Sequence, residues 1–187
     1  MKALIVYGSK NGGTAGLAHM IATAFEREGW QTEVKDAAER PGIGDVDVVV
    51  VGGGLYANRW VPSVRHWVRQ HTATLQNVPV WFFSSGPLDD TARAGDIAPV
   101  AGVAKLARAV EISGHMTFGG YLDKHPKGFI AGRMARRYAG DWRDPEHVAE
   151  WVHYICRNMR VLSEVPVQRA AEPAAVHPST ARSVTAL

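Results

Sequence analysis

The run Gly8-Ser9-Lys10-Asn11-Gly12-Gly13-Thr14 combines small residues, which let backbone N–H groups converge, with side-chain donors on Ser9, Asn11 and Thr14. Set before a helix N-terminus, whose dipole favours negative charge, such a loop is suited to grip a phosphate. Its spacing matches neither the Walker loop, which closes on Gly-Lys-Ser/Thr, nor the G-x-G-x-x-G of dinucleotide sites. A second run, Gly52-Gly53-Gly54-Leu55-Tyr56-Ala57-Asn58-Arg59-Trp60, has glycines that admit backbone close to a flat ring and offers Tyr56 or Trp60 to stack on it. A third, Ser84-Ser85-Gly86-Pro87-Leu88, adds further polar groups. Taken singly, each has an ordinary alternative: a capped Gly-rich turn for the first, core or rim packing for Tyr56 and Trp60.

The elements around these runs give them a common edge. Apolar runs of strand length alternate with longer amphipathic stretches, the pattern of βαβ units around a parallel sheet buried on both faces. Strands are expected at residues 2–7, 31–36, 46–51, 78–83 and 109–113, and helices at 13–29, 62–76 and 100–108. A last helix opens with Asp144 as N-cap and Pro145 in its first turn and fades near Arg160. Right-handed crossovers then give an α/β three-layer sandwich with a five-stranded parallel sheet of order 2-1-3-4-5. Ligands in such sheets sit beyond the carboxyl ends of the strands, where all three runs project.

A chain of 187 residues with 46% hydrophobic content suffices for one buried core. The expected organisation is one domain over residues 1–160, with an insertion at about 115–144, and a disordered tail over 161–187 rich in Pro, Ala, Ser and Thr. The start, Met1-Lys2 running straight into Ala3–Tyr7, carries neither a signal h-region nor a cleavage site, and no run approaches a membrane span; a cytoplasmic protein is expected. The lone Cys156 precludes an internal disulfide and sits in a helical apolar pattern, so its expected role is packing. Scattered histidines give no metal site. A net charge of +3, with no nucleic-acid-binding motif, argues against a nucleic-acid partner.

Together the three runs resemble the flavin loops of the flavodoxin superfamily. Within it the chain is most similar to the flavodoxin-domain proteins that include the menaquinone-dependent protoporphyrinogen oxidases. The likeness is carried by the phosphate loop, by Gly52–Tyr56 with Trp60-Val61-Pro62-Ser63 leading into a helix, by Ser84-Ser85-Gly86-Pro87, by the long insertion, and by Asp141-Trp142. It extends over roughly residues 2–158. The resemblance implies FMN as cofactor, with its phosphate on Ser9, Asn11, Gly12, Gly13 and Thr14 and a backbone contribution from Lys10. It implies an isoalloxazine ring between Gly54, Leu55, Tyr56, Ala57, Asn58 and Trp60 on one side and Ser84, Ser85, Gly86, Pro87 and Leu88 on the other. Pro87 and Leu88 stand where electron-carrying flavodoxins typically place a second aromatic, which leaves one ring face for a substrate.

The resulting expectation is an FMN-dependent oxidoreductase serving a quinone or porphyrinogen. The alternative is a flavodoxin-type carrier docking on a redox protein; a flavin-binding regulatory or storage module is a third reading. A deazaflavin, whose phosphate suits the same loop, stays open as cofactor. No catalytic residue is assigned, although His115, Tyr121 and His125 are candidates for proton relay as well as for inert loop residues. Phe129, Ile130 and Met134 alternate with Arg133, Arg136 and Arg137, a pattern for peripheral contact with an anionic membrane or for a helix packed on the domain with a solvated basic face.

Overall fold

Valine and isoleucine dominate the strand that opens the chain and the strand that becomes its centre, because β-branched side chains suit a pleated surface buried on both faces. In a computed structural model of the protein, which describes residues 1–89, 91–123 and 139–164, the first is β1 (Lys2–Gly8) and the central one is β3 (Val48–Tyr56). Between them lie α1 (Gly13–Arg27) and β2 (Gln31–Asp36). A short β4 (Arg59–Trp60) leads to α2 (Pro62–Gln70) and α3 (Thr72–Leu75), then β5 (Val80–Ser85), α4 (Thr91–Ala94), α5 (Ala101–Val110) and β6 (Gly114–Phe118). Two-residue strands β7 (Tyr121–Leu122) and β8 (Gly140–Asp141) pair antiparallel, and α6 (Pro145–Glu164) ends the described chain.

The parallel sheet runs β2-β1-β3-β5-β6, the expected order, with β4 folded back antiparallel on β3. One face carries α1 and α6, where Leu17, Ile21, Phe25, Val152, Ile155 and Cys156 close over Ile5 and Val50. The other carries α2, α3 and α5, where Trp67, Val68, Leu75, Val103 and Leu106 close over Leu4, Val49, Val51 and Phe82. Each such large apolar side chain contributes about 1.5–3 kcal/mol by leaving water. Cys156 is fully buried, and burial pushes its thiol up to about 12. Among the described residues no helix is long and apolar enough to cross a membrane.

Four expectations are corrected. The fifth strand lies at Gly114–Phe118, not at 109–113: Val103, Leu106 and Val110 fall on one helical face, so α5 continues to Val110 and Glu111 ends it in a left-handed conformation (φ 62°). The strand expected at 46–51 begins at Val48 and runs on through three glycines to Tyr56. The helix expected over 62–76 is divided at His71. The last helix passes Arg160 and is described as far as Glu164. Asp144 does cap this helix, its Oδ1 accepting from the Glu146 N–H at 2.9 Å. His125, the segment from Phe129 to Tyr138 and the tail beyond Glu164 lie outside the described residues.

Candidate functional site

Register brings the three runs together. Gly8 at the end of β1 pairs with Gly53 of β3, and Gly53 and Gly54 pair with Ser84 and Ser85 of β5, so all three runs leave the same edge of the sheet. After Gly8 the chain bends through Ser9, Lys10 and Asn11 and enters α1 over Gly12, whose φ of 81° is the left-handed geometry that glycine adopts at little cost. No side chain caps α1 and no acidic residue lies in its first turn. Its leading N–H groups are therefore left without a side-chain acceptor, and their dipole favours negative charge.

Strand β3 passes close to this turn. A Cβ on Gly54 would stand 3.0 Å from Thr14 Oγ1 and 3.1 Å from the Tyr56 ring, so glycine is what lets strand, threonine and tyrosine converge. Thr14 is 4% exposed, whereas Tyr56 is 39% exposed and presents ring surface at the edge. The Lys10 ammonium lies 4.6 Å from the Tyr56 ring centroid, a cation–π contact that ties the first run to the second. Desolvation pushes the Tyr56 phenol above its ordinary range, so it stays protonated at neutral pH.

Within the second and third runs the structure separates exposed residues from supporting ones. Gly52, Gly53, Gly54, Leu55 and Tyr56 are strand, and only Ala57 and Asn58 form a turn, both left-handed (φ 46° and 57°), as in a type I′ hairpin. The space beside Gly53 is taken by the ring of Trp60, with a hypothetical Cβ only 2.9 Å from it, and not by a ligand. Trp60 is 1% exposed, packs on Phe82 at a centroid distance of 4.8 Å, and donates its indole N–H to Ser84 Oγ at 3.0 Å. This corrects the stacking role expected of Trp60: its ring faces the core. Ser84 and Ser85 are buried residues of β5, and the Ser84 hydroxyl also bonds His115 Nε2 at 3.0 Å. Gly86, Pro87 and Leu88 are half-buried beyond the strand, held by the Gly86 N–H on Phe118 O (3.1 Å) and the Gly120 N–H on Pro87 O (2.7 Å).

His115, expected on the insertion, lies on β6, and burial holds its imidazole down at about 4, so it is neutral at physiological pH. Tyr121 reaches Asp123 through its hydroxyl at 3.1 Å and lies against α1. Beside it stands Arg143, which sequence reasoning missed; it donates to the Gly13 carbonyl at 3.3 Å. Its only sequence signal is proximity to Asp141-Trp142, because its partner is 130 positions away. Among the described residues no three His, Cys, Asp or Glu side chains are grouped to hold a metal ion.

A family model described as "Flavodoxin domain" matches residues 4–134, well over half of the chain. The chain belongs to the flavodoxin domain family. FMN is the cofactor of this family, and the uncapped α1 N-terminus with its converging strand ends fits it. The curated relatives of this flavodoxin domain include the "Protoporphyrinogen IX dehydrogenase [quinone]" of Escherichia coli K12, 27% identical over 86 residues, or 45% of this chain and 48% of the relative. The chain thus matches about half the length of those relatives. Among solved structures, rubredoxin oxygen:oxidoreductase from Desulfovibrio gigas superposes with a TM-score of 0.62 at 16% identity, covering 88% of this chain and 37% of the other. A flavodoxin from Archaea superposes at 0.51 and 16%, covering 82% and 99%. These structural likenesses are of fold.

Proposed function

We propose that this flavodoxin domain is an FMN-dependent oxidoreductase acting on a small quinone or porphyrinogen. The observation that carries the reading is the meeting of an uncapped helix N-terminus, the Thr14–Gly54 approach and the exposed Tyr56 at one sheet edge. In this reading the phosphate is held by Ser9, Asn11, Thr14 and the backbone N–H groups of Lys10, Gly12 and Gly13. The ring lies between Leu55, Tyr56, Ala57 and Asn58 and the segment Gly86-Pro87-Leu88, while Trp60, Ser84 and Ser85 hold those two segments in place. FMN supplies the hydride and electron chemistry, and the protein supplies orientation and field.

The chain's own residues favour a small anionic substrate over a basic protein partner. Lys10 and Arg59 are exposed beside the expected ring, and the net charge is +3, which attracts carboxylate-bearing molecules. The E. coli relatives, named as quinone-linked protoporphyrinogen IX dehydrogenases, support the same substrate classes. The test is steady-state turnover of FMN-loaded protein with protoporphyrinogen IX and a panel of quinones including a menaquinone analogue. Turnover with a quinone is expected. Inertness toward every quinone, together with fast electron exchange with a redox protein, would replace this reading with that of a carrier.

A further inference from the structure

The side chain of Arg143 is 14% exposed and is held from several directions. Its Nε and Nη2 donate to the two oxygens of Asp141 at 2.8 and 2.6 Å, the forked geometry that only arginine offers a carboxylate. Its guanidinium carbon lies 4.7 Å from the Tyr121 ring centroid, and its Nη1 donates to the Gly13 carbonyl at 3.3 Å. The guanidinium occupies the space that a side chain on Gly16 would need, and the Tyr121 carbonyl would stand 3.0 Å from a Cβ on Gly13. Gly13 opens α1, and Gly16 stands one turn further on. Tyr121 and Asp141 are partners in the β7–β8 ladder, and Arg143 stands two residues beyond Asp141.

We infer that Arg143 is a positioning residue for the phosphate site, clamping the β7–β8 ladder onto the outer side of the helical turn whose N–H groups face the anion. The inference rests on the reading of Ser9–Thr14 as the FMN phosphate loop. Asp141 neutralises the guanidinium, and the same bond pulls the Asp141 carboxyl below its ordinary range, so the pair approaches the phosphate as a near-neutral unit. Its contribution is therefore geometric: it fixes where Gly13 stands, and with it the first N–H groups of α1. Gly16 is the complementary feature, because any side chain there would displace the guanidinium.

The experiment titrates FMN into apoprotein by flavin fluorescence and records the 31P resonance of the bound cofactor. Arg143→Ala is expected to weaken FMN binding about tenfold, equivalent to 1.4 kcal/mol, and to move the 31P resonance. Arg143→Lys, which keeps charge without the fork, is expected to recover little of this. Gly16→Ala displaces the guanidinium while keeping Arg143 in the chain and adding a helix-favouring residue; it is expected to weaken FMN binding comparably in an apoprotein that still unfolds cooperatively. The double variant Asp141→Asn/Arg143→Ala is expected to bind as weakly as Arg143→Ala, and restored binding would mean a charge effect and overturn the positioning role. Wild-type affinity in both Arg143→Ala and Gly16→Ala would also overturn it, leaving the cofactor reading intact. A folded wild-type protein that ignores FMN would instead sink the cofactor reading, and this inference with it.

Discussion

Trp60 donates its indole N–H to the Ser84 hydroxyl across 3.0 Å, joining the short strand that ends the second run to the strand that opens the third. Both side chains are 1% exposed, so this bond fixes the spacing between two walls of the site without meeting solvent. Trp60→Phe removes the donor and leaves a small void. We expect a stability loss of about 1–3 kcal/mol in denaturant unfolding, with the visible spectrum of bound flavin unchanged in shape. A shifted flavin spectrum at unchanged stability would put the Trp60 ring on the cofactor.

The proposed phosphate loop gives the most direct prediction. Ser9→Ala/Thr14→Ala removes two hydroxyl donors worth about 1 kcal/mol each, so the Kd for FMN should rise by roughly ten- to thirtyfold in a fluorescence titration. Unchanged affinity would mean that the phosphate does not lie there.

Gly54→Ala tests the convergence of strand, threonine and tyrosine. The added methyl would sit 3.0 Å from Thr14 Oγ1 and 3.1 Å from the Tyr56 ring, both at the cofactor edge. Because the Tyr56 ring can yield into solvent, the fold should lose less than about 1 kcal/mol, while FMN affinity falls about fivefold or more. A larger effect on melting than on FMN binding would count against the site.

His115 sets an acid limit. Its folded pKa of about 4 lies below the ordinary value of 6.5, because burial disfavours the imidazolium. Between those values the unfolded chain binds the proton and the folded chain does not. Stability should thus fall as pH drops from 6.5 toward 4, with a slope of up to about 1.4 kcal/mol per pH unit from this group. Unfolding curves across that window should flatten in His115→Gln. An equal slope in the variant would refute the assignment.

The strand order and the Asp144 cap were legible because each is written locally: apolar runs alternating with amphipathic ones, and an Asp-Pro pair. The fifth strand was not. Ala109–Ser113 looks like a strand in isolation, yet Val110 belongs with Val103 and Leu106 on one helical face, and β6 is built from less apolar residues, Gly114 to Phe118. Trp60 and Gly53 were misread for a related reason. Glycine beside an aromatic signals close approach, but only the fold-back of β4 on β3, with Trp60 opposite Leu55, reveals that the approaching ring is the chain's own. Arg143 is the extreme case, since no local pattern joins it to Gly13 at a separation of 130 residues.

Cys156 is the only cysteine in the sequence, and it is sealed in the core with its thiol pushed up to about 12. The polypeptide therefore has no dithiol couple with which to store or release reducing equivalents. In an anaerobic reductive titration, none of the electrons taken up within a chain goes to a dithiol–disulfide pair of its own.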